Sequence, residues 1–592
     1  MQIRDRITAL RNEMNAQGLG AYIITGTDPH MSETVAAYWR SREFISGFTG
    51  SAGTVVVTAD NAGLWTDSRY FIQAEKQLAG TGIELFRQGM PDVPEFQAWL
   101  AGQLEAGGNV GVGGLEVSAD AYKKLKKFLS ERSIKLVLTQ DLISTVWTDR
   151  PPIPTDPVFA IEELYTGSSR KEKIEKVRRE MKDGGIDLVL LSALDDNAWL
   201  LNLRGSDVVH TPVFLSHALV GMNDVRLFID AAKVSGDIRR QLVDDGVTLL
   251  PYTDIDNHLS EVKETQSVAF ASDKICALYH YIIPGKSRRP AKVSIPTRLK
   301  AVKNEVELAG IRNALAKDGV ALTRFFYWFD SAAGDQPLTE WAVAEKIRYY
   351  RSLQEGFRGD SFHTGASFKE NGAVIHYYPT ATMSKRIEGR GLLLSDSGGQ
   401  YLDGTTDITR VFPVGPPEPA EIRDYTLVLK GHIALATAVF PEGTSGAQLD
   451  ALARKPLWDQ HKNYLHGTGH GIGHFLGVHE GPHSISPLPR KEPLKPGMVI
   501  TNEPGIYREG KYGIRIENII VTVSRTESEF GKFLGFDTIT LFPMERELID
   551  PALLSPQEIQ WLNDYHTTVY DRLSPHLDQD EKAFLKKKTG PI

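Results

Sequence analysis

The stretch Leu392-Leu-Leu-Ser-Asp396-Ser-Gly-Gly-Gln-Tyr-Leu-Asp-Gly404-Thr-Thr-Asp407-Ile-Thr-Arg-Val-Phe412 decides how the C-terminal half of the chain folds. Apolar runs flank a centre rich in Gly, Asp and Thr, the pattern of a β-hairpin. The midpoint between Asp396 and Asp407 falls between Tyr401 and Leu402. An antiparallel pair folded there sets the two carboxylates opposite each other, Cβ atoms about 5 Å apart. Like charges so placed repel and need a shared proton or a cation between them. A second stretch has the same geometry. Val499-Ile-Thr-Asn-Glu503-Pro-Gly505 and Gly513-Ile-Arg515-Ile-Glu517-Asn-Ile-Ile-Val521 flank Arg508-Glu-Gly-Lys511, and the midpoint of Glu503 and Glu517 is Gly510. One facing pair could be a proton-sharing dyad; two in one domain point to divalent cations.

Between these stretches lies His466-Gly-Thr-Gly-His470-Gly-Ile-Gly473, followed by His479-Glu-Gly-Pro482. Its glycines let the backbone approach something closely and disfavour a helix. It is not a dinucleotide fingerprint, because Ile472 takes the place of the third glycine, and the His-Glu-x-x-His signature is absent. Upstream, Asn371-Gly-Ala-Val-Ile-His376-Tyr-Tyr supplies another histidine. Asp396, Asp407, Glu503, Glu517 and one imidazole make a hard, oxygen-rich ligand set that suits Mn²⁺, with Co²⁺ or Zn²⁺ as alternatives. Four negative ligands neutralise two divalent ions, and two ions about 3.5–4 Å apart hold a water and lower its pKa. The reaction class is metal-assisted hydrolysis.

Outward from this region the chain repeats itself. Ile7, Leu10 and Met14, then Gly18 and Ala21-Tyr-Ile-Ile24, lead to Asp28; shifted by 167 positions, Ile174, Val177 and Met181, then Gly185 and Leu188-Val-Leu-Leu191, lead to Asp195. Each copy reads as an amphipathic helix, a glycine stop and a buried strand. Proline-rich Pro151–Pro157 separates the copies, and Pro284–Pro290 with Pro296 closes the second. Leu308, Ile311 and Leu315 then open a new amphipathic helix, and the end of the chain reads as a helical appendage with a solvated basic tip at Lys586–Lys588.

Composition narrows the class. The 592 residues exceed one core, and 67 Lys and Arg against 75 Asp and Glu give a net charge of −8, which offers no electrostatic reason to expect nucleic acid or an anionic membrane surface as partner. The single Cys276 excludes an intrachain disulfide and Cys-based zinc ligation; with only His280 nearby as a base, it reads as inert. The charged N-terminus and the lack of an apolar run of about 18 residues give no expectation of a signal peptide or a membrane span, and the protein is expected to be cytoplasmic.

Together, Asp396, Asp407, His470 in its glycine-rich run, Glu503 of Thr-Asn-Glu-Pro-Gly and Glu517 of Gly-Ile-Arg-Ile-Glu-Asn resemble the pita-bread metallopeptidases, and most closely the three-domain cytosolic type of aminopeptidase P. Trp65-Thr-Asp-Ser-Arg69-Tyr-Phe, Leu203-Arg-Gly-Ser-Asp207 and Trp561-Leu-Asn-Asp-Tyr-His566 extend the likeness over nearly the whole chain. The resemblance implies α/β and α+β architecture: two tandem creatinase-like α/β domains at 1–155 and 156–297, then a pita-bread catalytic domain at 298–592. It implies an exopeptidase that releases the N-terminal residue from peptides with proline second. Asp396, Asp407 and Glu517 would surround two metal ions, with His470 and Glu503 on one of them. A bridging hydroxide would attack the carbonyl before proline, and Glu503 would carry its proton to the departing nitrogen. His376, His466 and His479 would line the site, bind peptide and stabilise the oxyanion. Arg515 would brace the carboxylates, and Arg69 would touch the peptide, across a homodimer. The stretch Asp360-Ser-Phe-His363-Thr-Gly-Ala-Ser departs from the family's pattern and concerns one pocket wall only.

Other histidines, His30, His210, His363, His474 and His483, read as structural. Two rivals keep the metals or the fold: a prolidase restricted to dipeptides, which the extra repeated domain disfavours, and a non-catalytic peptide- or histone-binding relative. The latter, like a creatinase-type enzyme, would lack ligands that are all present here.

Overall fold

In the computed structural model of the chain, which describes residues 1–332, 338–488 and 492–592, both repeated segments fold as their apolar spacing requires. Helix Ile3–Ala16 buries Ile7, Leu10 and Met14, and helix Arg170–Asp183 buries Ile174, Val177 and Met181. Gly18 and Gly185 end the helical turns at φ +65° and +61°, a conformation glycine adopts without steric cost. Strands Ala21–Ile24 and Leu188–Leu191 follow, buried throughout.

Each is the central strand of a six-stranded sheet. The first sheet runs Glu84–Arg87, Ala62–Thr66, Thr54–Thr58, Ala21–Ile24, Asn109–Gly113, Lys135–Thr139. The second runs Val247–Leu250, Val225–Phe228, His217–Gly221, Leu188–Leu191, Val268–Ala271, Arg288–Ala291. In both, the central strand is antiparallel to one neighbour and parallel to the other, and both edge strands lie parallel to their neighbours. The repeat is therefore one of topology as well as sequence.

The chain divides into two compact units, residues 1–162 with 168–297, and residues 163–167 with 298–592. Within the first, the two sheets' domains meet at a bridge between Ser118 and Cys276. These are the N-cap residues of helices Ala119–Ser130 and Ala277–Ile282. Ala119 N–H donates to Ile275 C=O at 3.0 Å and Ala277 N–H to Val117 C=O at 2.8 Å, a reciprocal exchange. Cys276 is buried, and burial pushes its thiol up to about 12, so it is not a thiolate nucleophile. His30 is structural: its ring nitrogens lie 2.8 Å from Ser192 C=O and 2.8 Å from Tyr252 OH, and it stacks on His217 at 4.4 Å.

Residues 151–157 form no helix or strand. Pro284–Pro290, read as a break, instead runs into the Arg288–Ala291 edge strand. Pro290 is tolerated there because an edge strand leaves one row of N–H groups unused.

The second unit is built on helix Glu305–Ala332, which buries Leu308, Ile311 and Leu315. One antiparallel sheet joins Gly365–Phe368, Gly391–Ser397 and Ile408–Val414; a second includes Asn518–Ser528, Val499–Asn502, Gly469–Gly471 and Glu480–Ile485 in that order. The C-terminal helices are core elements rather than an appendage. Helix Pro556–Leu573 buries Leu562, Tyr565, His566, Val569 and Leu573. Lys588, read as solvated, lies buried 3.3 Å from Glu545 and over the Phe326 ring, because its stem covers apolar surface while its charge is paired.

Candidate metal centre

The two acid-bearing hairpins form, with one register differing from its expectation. Strands Val499–Asn502 and Asn518–Ser528 pair Asn502 with Asn518, while Gly505–Arg508 and Tyr512–Arg515 pair Gly505 with Arg515. Both ladders turn about Gly510, so Glu503 and Glu517 stand opposite each other in the gap between them. In the first hairpin Asp396 pairs with Thr409, not Asp407. The turn falls at Leu402-Asp403, since Tyr401 pairs with Gly404, which shifts the register by two residues. A shift of two keeps the face, so Asp407 becomes the diagonal neighbour of Asp396 on the same side of the sheet.

Ligand atoms of Asp407, His470 and Glu517 lie within 4.8 Å of one another. His470 Nε2 is 3.5 Å from Asp407 Oδ2 and 3.7 Å from Glu503 Oε1. His466 Nδ1 approaches Glu503 Oε2 at 4.0 Å, and the His479 ring lies 4.3 Å from that of His470. The glycines around His470 are required by neighbouring strands: a Cβ on Gly469 would run into the Thr501 carbonyl, and one on Gly471 into that of Glu480.

Burial and crowding hold Asp407 and Glu517 well above the ordinary carboxylate range. For Asp407, desolvation comes first, then the charges of Glu517, Asp396 and Glu503; for Glu517, desolvation, then Glu503 and Asp396. Protons would quench this repulsion only partly, whereas cations among four oxygen donors and one imidazole would satisfy it. The residues fit a divalent pair by their donor chemistry.

Arg515, expected to brace the carboxylates, is joined in supporting the ligands by Thr409, Tyr507 and Arg410, which the sequence reading does not name. Arg515 donates to Asp396, to Thr409 Oγ1 at 3.0 Å and to Tyr507 OH at 2.7 Å; Thr409 in turn donates to Glu517 Oε2 at 2.7 Å. Arg515 thus braces Asp396 directly and Glu517 through Thr409. Tyr507 OH lies 2.8 Å from His466 Nε2, and burial, ahead of the opposing pull of Arg515, raises its hydroxyl to about 12. Arg410 donates to the Glu517 carbonyl at 2.7 Å and to Asn518 Oδ1 at 2.8 Å, tying one acid-bearing strand to the other. Thr409, two residues after Asp407 on the same face of an extended chain, had a signal in the alternation of strand side chains. Tyr507 and Arg410 had none.

His376 is half-buried in the loop after Lys369–Ala373. The next carbonyl, that of Tyr377, lies against Gly365, the strand partner of Asp396. Arg69 belongs to the first unit, where it clamps Asp67 at 2.8 and 2.7 Å. His363 stacks on Tyr378 at 4.4 Å, and His483 Nε2–H donates to the Val499 carbonyl at 3.0 Å, as structural histidines do.

Family profiles match in four blocks: "Creatinase/Prolidase N-terminal domain" over 6–146 and again over 149–307, "Metallopeptidase family M24" over 309–524, and "C-terminal region of peptidase_M24" over 532–592. A probable Xaa-Pro aminopeptidase P of Laccaria bicolor is 41% identical over 99% of this chain and 93% of its own length. Xaa-Pro aminopeptidase 1 of Dictyostelium discoideum is 40% identical over 100% and 97%. The crystal structure of X-prolyl aminopeptidase from Caenorhabditis elegans, described as a cytosolic enzyme with a di-nuclear active site, matches at 35% identity and a TM-score of 0.97 over 100% of both chains. An Xaa-Pro dipeptidase from Bacillus anthracis shares the fold at 24% identity and a TM-score of 0.51, with 99% of it covering 64% of this chain. With two creatinase-type domains ahead of an M24 domain, and relatives matched from end to end, the chain belongs to the aminopeptidase P family of M24 metallopeptidases.

Proposed function

We propose that this metallo-aminopeptidase releases the N-terminal residue from peptides whose second residue is proline, with Glu503 as the proton carrier. The observation that carries the reading is the end-to-end match to Xaa-Pro aminopeptidases; the prolidase reading leaves about a third of the chain without a counterpart in the Bacillus anthracis dipeptidase. All five ligand residues are present, against a non-catalytic relative. Asp396, Asp407, His470, Glu503 and Glu517 would hold two divalent ions, Mn²⁺ by the hardness of the donors. When bound, such ions supply the Lewis acid that makes water a nucleophile near neutral pH.

The chain's own groups do the rest. Glu503, whose Oε1 faces His470, takes a proton from the attacking water and delivers it to the proline nitrogen, which has no N–H of its own and must gain one to depart. His466, its ring held between Tyr507 OH and the Gly467 carbonyl, lines the peptide site, and His479, beside His470, donates to the oxyanion and the peptide. His376 and Arg515 complete the peptide site, and Arg69 is assigned to contact with the peptide, across a homodimer. The three-domain division at 155/156 and 297/298 and a homodimer are carried forward from the resemblance. The cytosolic description of the Caenorhabditis elegans relative supports a cytoplasmic location, and no helix among the described residues is long and apolar enough to cross a membrane.

The test is metal content and turnover of one preparation. About two ions per chain are expected, with hydrolysis of a tripeptide with proline second, complete loss on chelation, and a fall of at least about 1,000-fold in Glu503→Ala with circular dichroism unchanged. Cleavage of Xaa-Pro dipeptides alone, or activity retained by Glu503→Ala, would overturn it.

A further inference from the structure

Glu340 is fully buried at the first turn of helix Glu340–Ser352, and among the described residues no lysine or arginine pairs with it. Its carboxylate instead collects donors from one segment. Phe368 N–H donates to Oε1 at 2.7 Å, Asn371 Nδ2 to Oε1 and Oε2 at 2.9 and 3.1 Å, Tyr377 OH to Oε2 at 2.6 Å and Lys385 N–H to Oε2 at 2.8 Å. The helix N-terminus adds favourable partial charge, and bonds to an ionised acceptor are the stronger kind.

Those donors bracket the loop that carries His376. The far end of the loop is closed onto the same helix: Glu340 N–H donates to Lys385 C=O at 2.9 Å and Trp341 N–H to Ser384 Oγ at 2.8 Å. On its other side the loop meets strands that bear the centre. Tyr377 C=O abuts Gly365, paired with Asp396, and the Gly372 backbone lies against Gly513 in the strand that ends at Arg515. None of the side-chain bonds that Glu340 accepts comes from its own helix, so its carboxylate does not serve as that helix's cap. That role falls to Thr339, which accepts from Ala342 N–H at 3.1 Å.

We propose that Glu340 is a positioning residue of the peptidase reaction, holding the 368–385 loop so that His376 meets the peptide. This rests on the reading of His376 given above. Glu340→Gln keeps the volume but turns one acceptor into a donor that faces other donors. The experiment is a double-mutant cycle on the metal-loaded full chain with an Xaa-Pro peptide: wild type, E340Q, H376A and the double variant, with kcat, KM and metal content for each. H376A lowers kcat/KM, E340Q lowers it by about 100-fold through misplacement, metal content is unchanged, and the double variant is no worse than H376A alone. Losses that multiply, an E340Q enzyme with normal kcat/KM, or one that loses metal would overturn the proposal. An H376A enzyme with normal kinetics would instead overturn the reading of His376 and this proposal with it. Should E340Q fail to fold, Tyr377→Phe, which removes one donor, runs the same cycle and gives a smaller loss that likewise vanishes in the H376A background.

Discussion

Thr409 has no acid, no base and no metal-binding atom worth the name, yet it joins Arg515 to Glu517 through a single hydroxyl. Valine has nearly its shape and neither bond. Thr409→Val leaves Arg515 Nε and one Glu517 oxygen buried without this partner, at a cost of about 1–3 kcal/mol. Metal affinity falls about 10–100-fold, because groups that orient ligands tune binding almost as strongly as the ligands themselves. Thermal melting and metal titration check both numbers; an unchanged metal affinity would show that Thr409 only fills space. At this scale the sequence is legible where chemistry is unusual. Acids at strand ends and a histidine among glycines stand out, whereas a threonine in a β-strand is ordinary. Glu340 is equally silent, since a glutamate at a helix start is commonplace and its importance lies in donors 28–45 residues away.

Elements read better than contacts, with errors of a particular kind. Period and punctuation placed both acid-bearing hairpins, because alternation and turn residues are local. The register of the first was off by two, since the turn residues Leu402-Asp403 and not the midpoint of the acids set it. The error was harmless because an even slip preserves the face. The C-terminal helices were misjudged, as their burial depends on partners such as Phe326 that lie far away in sequence. The glycine-rich run was read for close approach, and the partner proves to be strand backbone. Gly469→Ala therefore pushes its new methyl at the Thr501 carbonyl and displaces the strand that holds His470. A loss of about 1–3 kcal/mol in stability is expected, with weaker metal binding by titration. Gly467→Ala, where the nearest atom is an ordinary 3.4 Å away, is the control and is expected to change neither.

At the scale of the molecule both units carry buried titratable groups. The carboxylate centre lies in the unit of residues 298–592, where burial also holds His432, His483 and His566 below the ordinary imidazole range. The first unit has pH-sensitive rings of its own. Burial holds both His30 and His217 below the ordinary 6.5, with Asp28 opposing and Lys233 reinforcing the effect at His30. The unfolded chain therefore takes up protons near pH 6 that the folded unit refuses. The stability tied to these rings is complete above about pH 6.5 and drains as pH falls below it. The calorimetric transition of the first unit should shift down between pH 7 and pH 5, by about 2–4 °C per kcal/mol lost. His217→Gln should flatten that dependence, and an unaltered slope would remove these rings as its source. The reciprocal bonds across Ser118 and Cys276 carry a last consequence. Equivalent residues of two like-folded copies exchange equivalent bonds, which is the signature of an isologous contact between identical subunits. The two copies in the first half of this polypeptide thus face each other as the members of a two-fold pair do, although a single chain joins them.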